Sequence, residues 1–189
     1  MGVWARLGGH VDGIADAILN WDRQAVESFG NHPALQRFSK VFFTATYMGD
    51  GYLWGGLGLG LILFGRAVDR WNVLIGLAVS IVNIALFRFL KLVFARARPV
   101  VVSQGLRSRL IDTYSFPSGH ATTSFGLAWV VSSSYPHPAI QVGAYLAAGV
   151  ISISRVYVRE HFPLDVMVGA ALGSLVAACL VPFFRWLGL

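Results

Sequence analysis

From Thr113 to Ser154 the chain carries no Asp, Glu, Lys or Arg. A helix needs about 20 apolar residues to cross a hydrocarbon core, so this run is long enough for two crossings. Pro136-His137-Pro138 supplies the break between them. Other stretches share the character: Val41 to Gly65 holds only Asp50 as a charge, and Trp71 to Phe87 holds none, with apolar character resuming after Arg88. Val166 to Phe184 is again uncharged. The pattern predicts five spans, near 41–65, 72–94, 118–135, 139–155 and 164–186. Composition agrees, with 56% hydrophobic and only 13% charged residues, against roughly 25% charged in an ordinary soluble domain. Such a chain cannot coat a soluble surface, which argues against a soluble enzyme, a disordered tail or a nucleic-acid-binding domain.

Upstream, Val11, Ile14, Ile18 and Trp21 alternate with the carboxylates Asp12, Asp16 and Asp22. This predicts an amphipathic helix lying in the membrane interface, followed by a turn at Gly30-Asn31-His32-Pro33. With four acids and no continuous apolar core, residues 1–30 do not read as a signal peptide. The fold class expected is all-α: a polytopic transmembrane helical bundle of about five spans. A sixth, short crossing from Ala34 is the alternative, disfavoured by Arg37, Lys40 and Asp50. Residues 1–40 form the interfacial segment and 41–189 one membrane domain. Gly51/Gly55 and Gly56/Gly60 have the small-xxx-small spacing that lets helices approach in lipid. Asp50 could cap the first span or line a cavity. The single cysteine, Cys179, sits in an apolar stretch and implies no disulfide.

Five crossings put two charged connections, 95–117 and 156–163, on one face. Any chemistry should be built there. The first begins beside Lys91 and continues through Arg96 and Arg98 to Pro99. Lys91 and Arg98 are seven apart and would share a helix face that Pro99 terminates. It ends in Ser115-Phe116-Pro117-Ser118-Gly119-His120. Ser115 is expected to cap the next helix, with Pro117 in its first turn. First-turn amides, Gly119 and Ser118 would cradle an anion, and His120 could trade a proton beside it. The second connection contains Ser154-Arg155, then Arg159-Glu160-His161, then Pro163 and Asp165. Asp165, four residues after His161, could hold one imidazole nitrogen and leave the other as a nucleophile. Arg155 offers a planar fork for phosphate oxygens. Metal ligation by His120, His161 and Asp165 competes with this reading, but the surrounding cations would repel a metal.

Lys91-x6-Arg98-Pro99, Pro117-Ser118-Gly119-His120 and Ser154-Arg155-x5-His161-x3-Asp165 occur in that order. Over about residues 40–189 the chain thereby resembles the type-2 phosphatidate phosphatase superfamily, which includes membrane lipid phosphatases and soluble vanadium haloperoxidases. Members commonly have six spans, so the amphipathic segment here stands in place of the first. The resemblance implies that His161 attacks phosphorus to form a phosphohistidine, oriented by Asp165, and that His120 protonates the departing alkoxide. Lys91, Arg98, Ser118, Gly119 and Arg155 would hold the phosphate oxygens. The chain's own cations would replace a metal ion, and no cofactor is implied. Arg96, Arg107, Arg109 and Arg159 are candidates for an anionic headgroup, or for anchoring at anionic lipid.

The implied substrate is a membrane lipid phosphate: phosphatidate, phosphatidylglycerophosphate, a polyprenyl diphosphate or a lipid A phosphate. Alternatives are a non-catalytic phospholipid-binding or transport protein, a lipid-to-lipid phosphotransferase, and haloperoxidase-like use of bound vanadate. The partners expected are the bilayer and its lipid, with no nucleic acid; the sequence identifies no protein partner. A multi-pass location in the cell membrane is expected. The positive-inside count favours a cytoplasmic site, whereas resemblance to bacterial envelope phosphatases favours an extracytoplasmic one. The charge itself is local. Lys91 to Glu160 holds seven basic and two acidic residues, or +5, and the remaining eight basic and seven acidic residues leave +1.

Overall fold

The computed structural model describes residues 3–99 and 114–188, and every regular element among them is helical. In order they are α1 (Val3–Asn31), α2 (Pro33–Gln36), α3 (Ser39–Tyr47), a π-helical turn (Met48–Tyr52), α4 (Leu53–Phe64), α5 (Ala67–Phe94), α6 (Gly119–Ser134), α7 (Pro138–Tyr157) and α8 (Pro163–Trp186). Prolines open α7 and α8, where a missing amide hydrogen costs nothing. Among the described residues α5, α7 and α8 are long and apolar enough to cross a membrane. By contrast, α6 has 16 residues, about 24 Å at 1.5 Å per residue. The segment from α3 to α4 is interrupted by the π-helical turn. Ile81 and Leu92 of α5 and Leu175 of α8 are exposed, an apolar outer surface suited to lipid.

The central helix is α6, packed against α5, α7 and α8. Small residues let its neighbours close in: Ala121, Thr122, Ser124 and Ala128 have no exposed surface. On α8, Gly169 and Gly173 complete the fit. A Cβ at Gly169 would stand 2.7 Å from the Ser118 carbonyl oxygen, and one at Gly173 would overlap the Thr122 backbone. The glycines of α4 behave differently from their expected packing role. A Cβ at Gly55, Gly56 or Gly60 would meet no heavy atom within 4 Å. They leave space rather than filling a contact among the described residues.

Helix α1 meets the bundle through a polar stripe. Asp22 and Val26 are buried while Ile18 and Trp21 stay exposed. Val26 packs with Val156 and Phe162, which brings α1 against the segment joining α7 to α8. The segments before α6 and α8 meet at this same end, where the Ser118 amide donates to the Asp165 carbonyl at 2.9 Å.

Candidate active site

Helix α5 ends earlier than Pro99 would require. Ala95 takes a left-handed conformation (φ 45°) and its amide donates to the Lys91 carbonyl. Lys91 therefore stays on the helix, whereas Arg96 and Arg98 leave helical register and turn in opposite senses to meet carboxylates. Lys91 is buried and its Nζ donates to the Tyr114 carbonyl at 2.5 Å. The Arg98 Nη1 donates to Glu160 Oε2 at 2.8 Å. The same Glu160 oxygen accepts from Arg155 Nη2. One carboxylate thus holds the two guanidinium groups expected to grip phosphate side by side.

Ser115 and Pro117 do not take the places expected of them. The N-cap position of α6 is Ser118, with Pro117 before the helix. Ser115 instead donates its buried hydroxyl to the Ala97 carbonyl at 3.0 Å, stitching the end of the first motif to the second. This frees Ser118, whose Oγ is fully buried and has no hydrogen-bond partner. Gly119 is needed for clearance, since a Cβ there would stand 2.9 Å from the Phe87 ring.

His161 follows Arg159, which adopts a left-handed φ of 57° to reverse the chain after α7. Its side chain is 1% exposed, and neither ring nitrogen has a hydrogen-bond partner. Burial, and then the charges of Arg155, Lys91 and Arg98, hold the imidazole well below its ordinary pKa. It is therefore neutral near pH 7. Nδ1 lies 3.7 Å from Asp165 Oδ2, an ion-pair distance rather than a hydrogen bond. Asp165 is otherwise engaged: Oδ2 accepts the Phe162 amide at 2.9 Å and Oδ1 accepts Arg96 Nη1 at 2.7 Å. Nδ1 faces the carboxylate, so Nε2 is the nitrogen left for chemistry.

Arg96 is not available to a headgroup. Its other terminal nitrogen donates to Asp22 Oδ2 at 2.6 Å, and its guanidinium lies 4.0 Å over the Phe162 ring. Asp22 Oδ1 in turn accepts the Leu164 amide at 3.0 Å. Arg159 reaches back to Asn31 Oδ1 at the end of α1. Arg107 and Arg109 lie outside the described residues. Among the described residues, no three His, Cys, Asp or Glu side chains stand close enough to share a metal ion.

The site opens into a cavity of about 1090 Å³ bounded by the π-helical turn, α4, α5 and α6. Arg98, His120, Arg155 and Glu160 line its polar end, and Trp54, Leu57, Leu77 and Leu127 are among the apolar groups lining the rest. Arg88 also lines it; Phe87, the preceding residue, touches Gly119. Within the cavity lining His120 Nε2 lies 3.0 Å from Asp50 Oδ1. Sequence reasoning missed Glu160, which stands only five residues after Arg155, and left Asp50 without a partner, since His120 is 70 residues away.

The fold and site define a helical bundle with an apolar skin and, at one end, Lys91, Arg98 and Arg155 around a buried, neutral imidazole. The chain belongs to the PAP2 superfamily, whose family model matches residues 71–188 and so includes all three motifs. It is 34% identical over 142 residues to an undecaprenyl-diphosphatase of Sulfolobus acidocaldarius, covering 72% of this chain and 66% of that protein. To a lipid A 1-phosphatase of Porphyromonas gingivalis it is 39% identical over 64 residues, 33% of this chain and 14% of the other. It thus spans two thirds or less of these relatives' length. The crystal structure of Aquifex aeolicus LpxE has the same fold, with a TM-score of 0.68 and 27% identity, covering 87% of this chain and 94% of that one.

Proposed function

We propose that this protein is an integral-membrane lipid phosphatase that works through a phosphohistidine on His161 without a metal ion. The observation that carries the reading is the grouping of buried Lys91 and Arg155, with Arg98, around a buried imidazole that has no hydrogen-bond partner. Phosphoryl transfer needs positioning and charge stabilisation more than covalent chemistry, and three cations with the Ser118 hydroxyl supply both. His161 Nε2 bonds to phosphorus as the bond to the lipid oxygen breaks. That oxygen keeps the electron pair and takes a proton from His120. Water then attacks phosphorus, the P–N bond breaks, and the water's proton returns to His120.

The apolar cavity leading from His120 suits a tail attached to the phosphate, so the substrate class is a lipid phosphomonoester or diphosphate. Phosphatidate, phosphatidylglycerophosphate, a polyprenyl diphosphate and a lipid A phosphate all carry the group these residues would grip. In this reading five crossings hold the site, residues 1–40 lie in the interface, and the site faces the extracytoplasmic side. Purified protein in EDTA is expected to release phosphate from at least one lipid of such a panel. No release from any of them would overturn the reading. Labelling of single cysteines at 136–138 from outside the cell would contradict the orientation, because those residues lie at the opposite end.

A further inference from the structure

The π-helical turn is the least regular part of the membrane-facing chain, and it is shaped around one contact. A Cβ at Gly49 would stand 2.6 Å from both His120 Cδ2 and Ile151 Cγ2, so only glycine lets the turn lie against the imidazole. Gly51 has φ +107°, a left-handed conformation that L side chains rarely adopt. Between these two glycines stands Asp50, with Oδ1 at 3.0 Å from His120 Nε2. Both glycines serve the same end, which is to bring a carboxylate into an apolar cavity and against one histidine. π-turns inside helices concentrate at functional sites. An ionisable group among membrane helices, with a named partner, is itself a sign of function. Asp50 also lies upstream of the residues that match the family model.

We propose that Asp50 is a positioning residue for the general acid: it holds His120 through Nε2 and leaves Nδ1 to protonate the departing lipid oxygen. A carboxylate only accepts, so Nε2 is the protonated nitrogen of the pair. The Cδ2–Nε2 edge faces the turn, and Nδ1 is the ring vertex opposite that edge. A carboxylate on one nitrogen fixes the tautomer and steadies the imidazolium, while keeping its own charge. The proposal rests on the phosphatase reading above. If it holds, the site contains two carboxylate–histidine pairs, one for the nucleophile and one for the acid.

The test is leaving-group dependence. An alkyl phosphate needs its leaving oxygen protonated, and a nitrophenyl phosphate does not. Release of the alcohol or nitrophenol in the first turnover, before water attacks the phosphoenzyme, is measured from both substrates with wild type and with Asp50→Asn, Asp50→Glu and His120→Ala. On the alkyl ester His120→Ala is expected to lose at least about 10²-fold and Asp50→Asn roughly tenfold, within the range of general acid catalysis. On the aryl ester the loss by His120→Ala should shrink at least about tenfold and that by Asp50→Asn at least about threefold, and melting in detergent unchanged from wild type shows that the variants fold. Asp50→Glu should recover part of the alkyl-ester rate. Equal loss on both esters by Asp50→Asn, or no loss on either, overturns the proposal. If His120→Ala alone shows the dependence, the phosphatase reading stands and the role of Asp50 falls. If His120→Ala shows none, the general-acid role of His120 falls and that of Asp50 with it, whereas only the absence of turnover by wild type overturns the phosphatase reading.

Discussion

The two histidines of the site sit in contrasting surroundings. His161 lies within a closed polar network: Asp165 behind it, Arg96 behind Asp165, and Asp22 of α1 behind Arg96. Each carboxylate there also takes a backbone amide at the start of α8, from Phe162 and from Leu164. His120 stands at an open cavity, held by one half-exposed carboxylate on an irregular turn. The difference matches the two tasks. A nucleophile must be dry, neutral and fixed, whereas an acid must meet lipids that arrive and leave through an apolar opening.

The largest effect expected is on the closed side. His161→Ala should abolish phosphate release, because the proposed intermediate forms on its imidazole, and measurable turnover by that variant would remove it from the mechanism. Next comes the oxyanion grip. Arg155→Met should lower kcat about 10²–10³-fold, the usual cost of one lost donor to a developing charge. Retained kcat with a raised KM alone would reduce Arg155 to ground-state binding.

The tie from α1 is a matter of stability first. Asp22 is fully buried and Arg96 is its ion-pair partner, so Arg96→Met strands two buried carboxylates. Breaking such a pair costs about 3–5 kcal/mol, and a large fall in melting temperature in detergent is expected. An unchanged melting temperature would show that α1 is only loosely attached.

None of this tie could be read in the sequence, since Asp22, Arg96 and Asp165 are far apart in the chain and only folding joins them. The three motifs were legible because each keeps its chemistry within a few residues. Helices α5, α7 and α8 were legible because long apolar runs mark them, whereas the π-helical break inside 41–65 left no mark in the charge pattern. The early end of α5 was not, because Ala95 gives no sign of the left-handed turn that separates Lys91 from Arg96 and Arg98. Small-xxx-small spacing signals that a helix face can be approached, without saying whether anything approaches it. On α8 it marks a true contact at Gly169 and Gly173, whereas Gly51 and Gly55 line the cavity and Gly56 and Gly60 pack against nothing among the described residues.

The open side gives a smaller, more selective effect. Gly55→Phe should place a ring in the cavity and raise KM for long-chain lipid phosphates roughly tenfold, about 1.4 kcal/mol of lost binding. The kcat for a short-chain phosphate should be unchanged. Equal effects on both chain lengths would mean that tails do not lie along α4.

Acid gives the smallest effect. The His161 pKa is lowered from 6.5 in the folded chain, so the unfolded chain binds the proton more tightly. Stability should be full above about pH 6.5 and decline as pH falls through it. His161→Gln protein should show a shallower decline in a melting series.

The central claim is covalent, and rapid-quench trapping with ³²P-labelled substrate tests it most directly. The account predicts acid-labile, base-stable label on wild-type protein at His161, formed at least as fast as phosphate is released, and no label on His161→Ala. Steady turnover with no trapped label, or label persisting in the variant, would contradict it.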